Sequence, residues 1–276
     1  MSSPPAGDDR EAASGPLLVA ASLSGEADAE WARVAGEFVD VALMGGIALD
    51  PASRAAARDL VERDRSEFLP DEPVAFVGEQ LRALADAPVR PGINVRSATV
   101  DPILAVASTC ADHDAVCEIN AHCRQPELCA VGCGETLLTD GDRLTEYVAA
   151  ASEAGATTSV KVRTEVPGVD LVTVAERVAA AGAAWLHVDA MDSEAVVGDL
   201  ATAIESRDLG LTLVANNGVR GRETVAEYAD YGADAVSVGR PSDDPTVLSR
   251  VADAVAAWRA GELRPANRDA GMEESL

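Results

Sequence analysis

Short apolar runs alternate along the chain with longer alanine-rich stretches that carry apolar residues at helical spacing. Strands are predicted at Leu17–Ser22, Asp40–Met44, Val89–Val95, Ala115–Asn120, Ser159–Arg163, Trp185–Asp189, Leu211–Asn216 and Ala235–Gly239. Helices are predicted at Ala27–Phe38, Ser53–Arg65, Asp101–Ala111, Asp142–Ala154, Asp170–Ala181, Ser193–Ser206, Arg222–Tyr231 and Pro245–Ala260, with an extra helical piece near Gly78–Ala87. This alternation is typical of parallel strands joined by helical crossovers.

Eight such units predict an α/β protein with a single (β/α)8 TIM barrel over residues 16–262, and an open doubly wound sheet is the alternative. Residues 1–15 and 263–276 are expected to be disordered tails. No apolar run of about eighteen residues occurs, and the acidic N-terminus lacks the apolar core of a secretory signal. We therefore expect a cytoplasmic protein that does not bind a membrane.

The charge balance is strongly acidic, with 22 basic and 47 acidic residues and a net charge of −25. Lys161 is the single lysine, and all other basic residues are arginines. An acidic, lysine-poor surface resembles that of proteins from halophilic archaea, because concentrated salt screens the self-repulsion. The same charge disfavours long-range attraction to nucleic acid.

Chemistry in such a barrel gathers at the C-terminal ends of the strands, where Lys161 gives the sharpest signal. A lysine inside an apolar strand requires an anion or a strong acceptor, so we interpret it as a cation beside a cofactor or substrate. A salt bridge inside the barrel is the alternative. Asn217 and Gly218 after the seventh strand, with Gly239 and Arg240 after the eighth, predict a phosphate site. An ordinary turn with a surface arginine is the alternative there.

Cys123 lies in the loop after the fourth strand, where it could act as an acid or nucleophile. A small buried side chain is the alternative. A metal or iron–sulfur site would use Cys117, Cys123, Cys129 and Cys133, but none of them form a C-x2-C pair, and no metal is predicted.

Asp189 ends the sixth strand, and His187 lies two residues earlier on the same face. The two residues could form an acid–base pair. In the other interpretation, His187 is a hydrogen-bonded residue of the barrel interior.

Five segments carry a resemblance to one family. Glu118–Cys123 and Gly132–Asp140 resemble the central signature of tRNA-dihydrouridine synthases, in order and approximate spacing. Val160–Arg163 is similar to the family's Val-Lys-Ile-Arg strand. Val214–Gly218 and Gly232–Arg240 are similar to its closing segments, which many flavin barrels share. The similarity spans roughly residues 17–260, and it is closest to a short archaeal branch of the family.

The resemblance implies an FMN-dependent oxidoreductase, with NADPH or NADH as the electron donor. It implies that flavin N5 gives hydride to C6 of a uracil ring, with a uridine of tRNA as the expected substrate, while Cys123 protonates C5. Catalytic roles fall to Cys123 and Lys161, the latter beside the N1–O2 edge of the flavin. The implied flavin contacts are Ala20, Ser22, Asn94, Lys161, Asn217, Gly218, Gly239 and Arg240. The implied substrate contacts are Asn120, Arg163 and Asp189.

Several departures from the family pattern bear on the identity of the substrate. Arg124 stands where the family has proline, Val219 replaces an acid in the phosphate loop, and residues 189–192 lack the family's His-Gly-Arg-Thr. We expect the C-terminal helical RNA-binding domain of the family to be absent, and the net charge of −25 argues against an RNA surface. A free pyrimidine or other small heterocycle, or a non-redox phosphate-binding barrel, are therefore the alternatives to tRNA reduction.

Overall fold

A computed structural model describes residues 15–263, in which eight parallel strands close into a barrel in chain order. The strands are β1 Leu17–Ala20, β2 Val41–Ala48, β3 Arg90–Arg96, β4 Val116–Asn120, β5 Thr157–Arg163, β6 Trp185–Asp189, β7 Thr212–Asn216 and β8 Ala235–Val238. Closure comes from β1 and β8, which pair in parallel from Leu17 opposite Ala235 to Ala20 opposite Val238. The predicted TIM barrel is confirmed, and the alternative of an open sheet is wrong because no strand edge stays unpaired between β1 and β8.

Helices surround the barrel. They are α1 Ala29–Ala35, α2 Pro51–Val61, α3 Pro73–Ala83, α4 Asp101–Asp112, α5 Pro126–Ala130, α6 Thr136–Thr139, α7 Gly141–Glu153, α8 Leu171–Ala180, α9 Val196–Ser206, α10 Arg222–Asp230 and α11 Pro245–Arg259, with a 3-10 helix at Arg240–Asp243. All nine predicted helices are present with shifted ends, whereas α5, α6 and the 3-10 helix were not predicted. The predicted tails, residues 1–15 and 263–276, lie outside the described residues except for Gly15 and Leu263, and Leu263 packs against the apolar core.

Two helices of the β2–β3 connection, α2 and α3, begin before the predicted residue. α2 begins at Pro51 rather than Ser53, because the Asp50 carboxylate accepts hydrogen bonds from the backbone N–H groups of Ala52 and Ser53. α3 begins at Pro73, well before Gly78, since proline is favoured in the first turn of a helix. A capping carboxylate therefore sets the start of α2, and a first-turn proline sets the start of α3.

Side chains alternate between the barrel interior and the surrounding helices along each strand. The interior is closed at its N-terminal end by one apolar cluster, which we call the barrel floor: Val19, Val41, Leu43, Val116, Trp185, Val214 and Ala235. A larger apolar cluster fills the space between the strands and the helices. The packed floor leaves only the C-terminal end of the barrel interior available for a site.

The long connection between β2 and β3 crosses one side of the barrel mouth. Its residue Glu67 forms a buried ion pair with Arg96 at the end of β3, at 2.6 Å. The loop after β1 packs on the same connection at Gly25, whose φ is +71° and where a Cβ would lie 2.4 Å from the Glu67 backbone nitrogen. Only glycine allows this approach, and it joins the two loops into one wall.

Among residues 15–263, no helix is long and apolar enough to cross a membrane.

Candidate active site

A cavity of about 530 Å³ opens at the C-terminal ends of the strands, a size typical of small-molecule sites. Ten of the twelve predicted site residues line it: Ser22, Asn120, Cys123, Lys161, Arg163, Asp189, Asn217, Gly218, Gly239 and Arg240. They come from β1, β4, β5, β6, β7 and β8 and the loops that follow them. The closed barrel thus brings together side chains that are far apart in sequence, and their individual roles stay predictions.

Lys161 projects into the cavity from β5, between Asn120 of β4 and His187 of β6 in the strand register. Its side chain is almost wholly buried, with the residue 3% exposed. Within residues 15–263, the ammonium group has no hydrogen bond and no carboxylate within ion-pair distance. The salt bridge considered from the sequence is therefore absent there. A buried ammonium of this kind is costly unless a ligand supplies an anion or acceptor.

The cavity is electropositive although the protein is strongly acidic. Its lining includes seven basic residues and one acidic residue, Asp189. The basic set is Arg65, Arg96, Arg124, Lys161, Arg163, Arg220 and Arg240. About a third of the chain's 22 basic residues therefore surround one cavity, which favours an anionic ligand.

A buried polar network lies between the barrel floor and the cavity, centred on Glu118 of β4. Its carboxylate accepts hydrogen bonds from Asn94 Nδ2 at 2.7 Å and from Ser159 Oγ at 3.1 Å. His187 Nδ1 lies 2.7 Å from the same carboxylate, and because a carboxylate can only accept, Nδ1 carries the proton. Three donors from β3, β5 and β6 therefore satisfy one buried charge.

The chain of hydrogen bonds continues from Glu118 through His187 to Ser237 of β8. With Nδ1 protonated and the ring neutral, Nε2 accepts from Ser237 Oγ at 2.7 Å. Ser237 Oγ in turn accepts from Asn216 Nδ2 at 2.5 Å. Both ring nitrogens of His187 are thus engaged inside the barrel, and neither bonds to Asp189.

The pKa values of this pair follow from burial and charge. Burial alone raises the pKa of Glu118, but the His187 ring, the Lys161 ammonium and the Asn94 amide outweigh it and lower the pKa to about 2. Burial, aided by Lys161, lowers the pKa of His187 against the opposing effect of Glu118. At neutral pH the pair therefore comprises a carboxylate and a neutral imidazole.

The network extends from Glu118 to the loop that carries Cys123. Asn94 Oδ1 accepts from Asn120 Nδ2 at 2.9 Å, and Asn120 Oδ1 accepts from the backbone N–H of Cys123 at 3.0 Å. On the other side, Gly134 has a φ of +66° and packs so tightly on the Cys123 carbonyl that a Cβ would lie 2.1 Å from it. Cys123 is therefore fixed at the edge of the cavity from both sides.

Cys123 is the cysteine that lines the cavity. Burial raises the pKa of the Cys133 thiol to about 12, and burial also raises the pKa of Cys129. Within the described residues, no group of three or more His, Cys, Asp or Glu side chains could hold a metal ion. The arrangement of Cys117, Cys123, Cys129 and Cys133 thus gives no support to the iron–sulfur alternative.

His122 adds a second titratable group beside Cys123. Burial and the nearby Lys161 ammonium hold the pKa of His122 well below its usual value, so the ring is neutral at pH 7. Asp189, on the far side of Lys161, is half-buried, and its carboxylate accepts from the Met191 backbone N–H at 3.4 Å. The cavity therefore offers one carboxylate, one neutral imidazole and one thiol.

The loops after β7 and β8 form the other side of the mouth. Asn217 has a φ of +97° and donates through Nδ2 to the Met191 carbonyl at 2.8 Å, while Tyr228 Oη donates to the Asn217 carbonyl at 2.9 Å. A Cβ added to Gly218 or Gly239 would meet no atom within 4 Å, so both glycines border open space. This fixed backbone beside open space suits the close approach of a phosphate.

Two predicted contacts do not line the cavity. Ala20 packs toward the helices in the larger apolar cluster, and Asn94 lies below the cavity within the polar network. Sequence reasoning also missed Arg65, Arg96 and Arg220. Alternation along β3 from Asn94 would have found Arg96, whereas Arg65 lies in the irregular part of the β2–β3 connection and gave no local signal.

Comparison with known proteins gives one family. The model of the dihydrouridine synthase (Dus) family matches residues 93–269. The uncharacterized protein MJ0144 of Methanocaldococcus jannaschii is 29% identical over 148 residues, which cover 53% of this chain and 57% of that protein. The chain therefore spans little more than half the length of this curated relative.

Solved structures share the fold at low sequence identity. DHODH from Eimeria tenella in complex with ferulenol has a TM-score of 0.59 and 13% identity, covering 90% of this chain and 86% of that chain. A mandelate oxidase variant with an FMN adduct has a TM-score of 0.54 and 16% identity, covering 88% of this chain and 74% of that chain. The 3-hexulose-6-phosphate synthase of Salmonella typhimurium has a TM-score of 0.55 and 18% identity, covering 89% of this chain and 99% of that chain. At these identities the likeness establishes the barrel alone.

Proposed function

Because this chain belongs to the dihydrouridine synthase family, we propose that it is an FMN-dependent reductase of a carbon–carbon double bond in a uracil-type ring. The observation that carries the proposal is the Lys161 ammonium, buried in the cavity without a protein partner among the described residues and close to the Cys123 loop. Family membership supports a flavin oxidoreductase of this type, and the cavity supplies the charge that such a cofactor requires.

The cavity fits FMN at two places. Gly218 and Gly239 border open space beside the loops after β7 and β8, where Arg240 adds a positive charge for the phosphate. Lys161 would hold the electron-rich edge of the ring system, and its compact charge would favour the reduced form. When bound, FMN would supply hydride to the substrate, with NADPH or NADH as the source of electrons.

Cys123 would hold the proton that the substrate ring receives. The thiol lies in the cavity wall, and its backbone is fixed by Asn120 and Gly134, so its distance from a bound ring varies little. Asn120, Arg163 and Asp189 line the same part of the cavity and would orient the substrate. Glu118 keeps this arrangement rigid, since it holds Asn94, which in turn holds Asn120.

Two substrate sources remain to be separated by experiment. Family membership favours a uridine in tRNA, whereas the net charge of −25 favours a small uracil compound. A non-redox phosphate-binding barrel is the second candidate function, because 3-hexulose-6-phosphate synthase shares the fold.

A transfer experiment tests the proposal. FMN-loaded protein is reduced without oxygen and mixed with uridine compounds or unmodified tRNA, and flavin reoxidation is followed in the wild type and in Cys123→Ala. Loss of a positioned general acid slows a reaction by about 10²–10⁴-fold, so the variant should accept electrons normally but reduce the substrate at least about 100-fold more slowly. Equal rates of substrate reduction in the two proteins would remove Cys123 as the acid.

A further inference from the structure

The basic side chains of the cavity differ from those elsewhere in how they are paired. Outside the cavity, every described arginine except the exposed Arg58 has an ion pair or a hydrogen bond. Among the described residues that line the cavity, Arg65, Arg124, Lys161 and Arg240 have neither. In a protein with 47 acidic residues, unpaired cations gathered in one cavity indicate that a ligand supplies the negative charge.

The unpaired cations occupy two opposite sides of the mouth. Arg240 follows β8, on the side proposed for the flavin phosphate. Arg65 comes from the β2–β3 connection and Arg124 from the loop after β4, and β4 lies opposite β8 in a ring of eight strands. We call Arg65, Arg96, Arg124 and Arg163 the arginine wall, since all four line the cavity on the side of β3, β4 and β5.

Two members of the arginine wall are buried and held in fixed positions. Arg96 Nη1 pairs with Glu67 at 2.6 Å, and Arg163 Nη1 pairs with Glu135 at 2.7 Å. The Nε atoms of both arginines are buried and have no hydrogen-bond partner within residues 15–263. Both Nε atoms are shielded from the open space of the cavity, so these two arginines would act on a ligand through their fixed charge.

The charge count leaves room for a second anion. The arginine wall has four arginines against two carboxylates, those of Glu67 and Glu135, which leaves it a net charge of +2. One phosphate monoester carries about −1.5 to −2. The flavin phosphate is proposed on the opposite side of the mouth, so it would not balance the charge of the arginine wall. Uracil and uridine are neutral and would not balance it either.

We propose that the arginine wall binds a phosphate carried by the substrate, so that the reduced ring belongs to a uridine nucleotide and not to free uracil or uridine. This inference rests on the proposed function, because the uracil ring comes from it. Arg124 replaces the proline of the family pattern, so this part of the wall is a property of this chain. The phosphate belongs to a free mononucleotide, because the net charge of −25 disfavours an RNA strand.

Equilibrium binding to the FMN-loaded, oxidised protein tests the inference without turnover. Bound FMN occupies the β7–β8 side, so added nucleotide cannot fill the flavin phosphate site. We expect uridine 5′-monophosphate to bind at least about tenfold more tightly than uridine. In Arg65→Gln and Arg124→Gln, both at exposed positions where folding is not at risk, affinity for the nucleotide should fall about fivefold while affinity for uridine stays unchanged.

Arg58→Gln is the matched control, because it removes the same charge from an exposed arginine outside the cavity and should bind like the wild type. A short uridine-containing oligonucleotide tests the source of the phosphate. Tighter binding of the monophosphate than of the oligonucleotide supports a free nucleotide, and tighter binding of the oligonucleotide would contradict it.

Equal affinity for the monophosphate and uridine, or an Arg124→Gln variant that matches Arg58→Gln, would overturn the inference. The flavin content of each preparation is measured first. A protein that takes up no FMN contradicts the proposed function, whereas a flavin-loaded protein without a preference for phosphate contradicts the arginine wall alone.

Discussion

The barrel floor and the barrel mouth are built from the same strands, yet the floor is apolar and the mouth is charged. On β4 the inward side chains run from Val116 through Glu118 to Asn120, and on β6 they run from Trp185 through His187 to Asp189. On both strands the first inward residue packs in the floor, the second lies in a buried polar layer, and the third lines the cavity. Along each strand, the packing residues of the floor are therefore separated from the cavity residues of the mouth, and Glu118 in the polar layer connects the two.

Substitutions in the barrel floor should lower the stability of the fold and leave the ligand site unchanged. Trp185→Ala removes a large buried side chain from the floor cluster and should lower the free energy of unfolding by about 3–5 kcal/mol, because a cavity remains. Denaturant titration of the FMN-free protein measures the loss. The folded fraction should still bind FMN with wild-type affinity, and a specific loss of FMN binding would contradict the separation between floor and mouth.

The polar layer should affect both stability and the cavity. Glu118→Gln replaces a carboxylate that accepts three hydrogen bonds with an amide that brings its own donor N–H groups into the same space. We expect the free energy of unfolding to fall by about 3 kcal/mol. Since Asn120 would lose its support, substrate reduction should also slow in the protein that remains folded. A variant with the free energy of unfolding of the wild type would show that the hydrogen bonds to Glu118 do not stabilise the fold.

Substitutions in the barrel mouth should affect ligand affinity more than the stability of the fold. Lys161→Met removes a buried ammonium without breaking a hydrogen bond or ion pair of the described residues, so the FMN-free protein should keep its stability. Loss of a charged contact worth about 1.5–3 kcal/mol should weaken FMN binding about 10- to 100-fold. Fluorescence titration with FMN measures this effect, with Arg58→Met as the control for lost charge. Unchanged affinity and unchanged flavin potential would exclude the proposed role of Lys161.

Acid should weaken the polar layer before it affects the floor. Because burial lowers the pKa of His187, the unfolded chain binds more protons than the folded protein below pH about 6.5, and stability falls as the pH drops through that value. His122, whose pKa is also lowered, contributes in the same range.

Glu118 contributes stability above its ordinary pKa of 4.5, and this contribution is lost as the pH falls toward its folded pKa of about 2. Each group adds at most about 1.4 kcal/mol per pH unit. Denaturant titrations between pH about 7.5 and about 4 measure the slope, and a flat profile would contradict a neutral, buried His187.

The sequence predicts the features that local pattern controls. Strand β6 was predicted at Trp185–Asp189, as the structure has it, and Lys161 stood out because every other basic residue is arginine. The pairing of Glu118 with His187 joins residues 69 positions apart, and only the register of the closed barrel places them together.

Arg65 was missed because its place depends on tertiary contacts of the β2–β3 connection, at Gly25 and through the Glu67–Arg96 ion pair. Asn94 was expected at the flavin, yet its amide is used within the polar layer. The high-salt adaptation inferred from the composition stays a prediction.

The visible absorption spectrum of the freshly purified protein in high-salt buffer tests the central claim most directly. The account predicts a yellow protein with the two absorption bands of oxidised flavin, from which denaturation releases FMN. A colourless protein that takes up no added FMN would contradict it, and the unpaired Lys161 and the glycine loops after β7 and β8 would then serve a different anionic ligand.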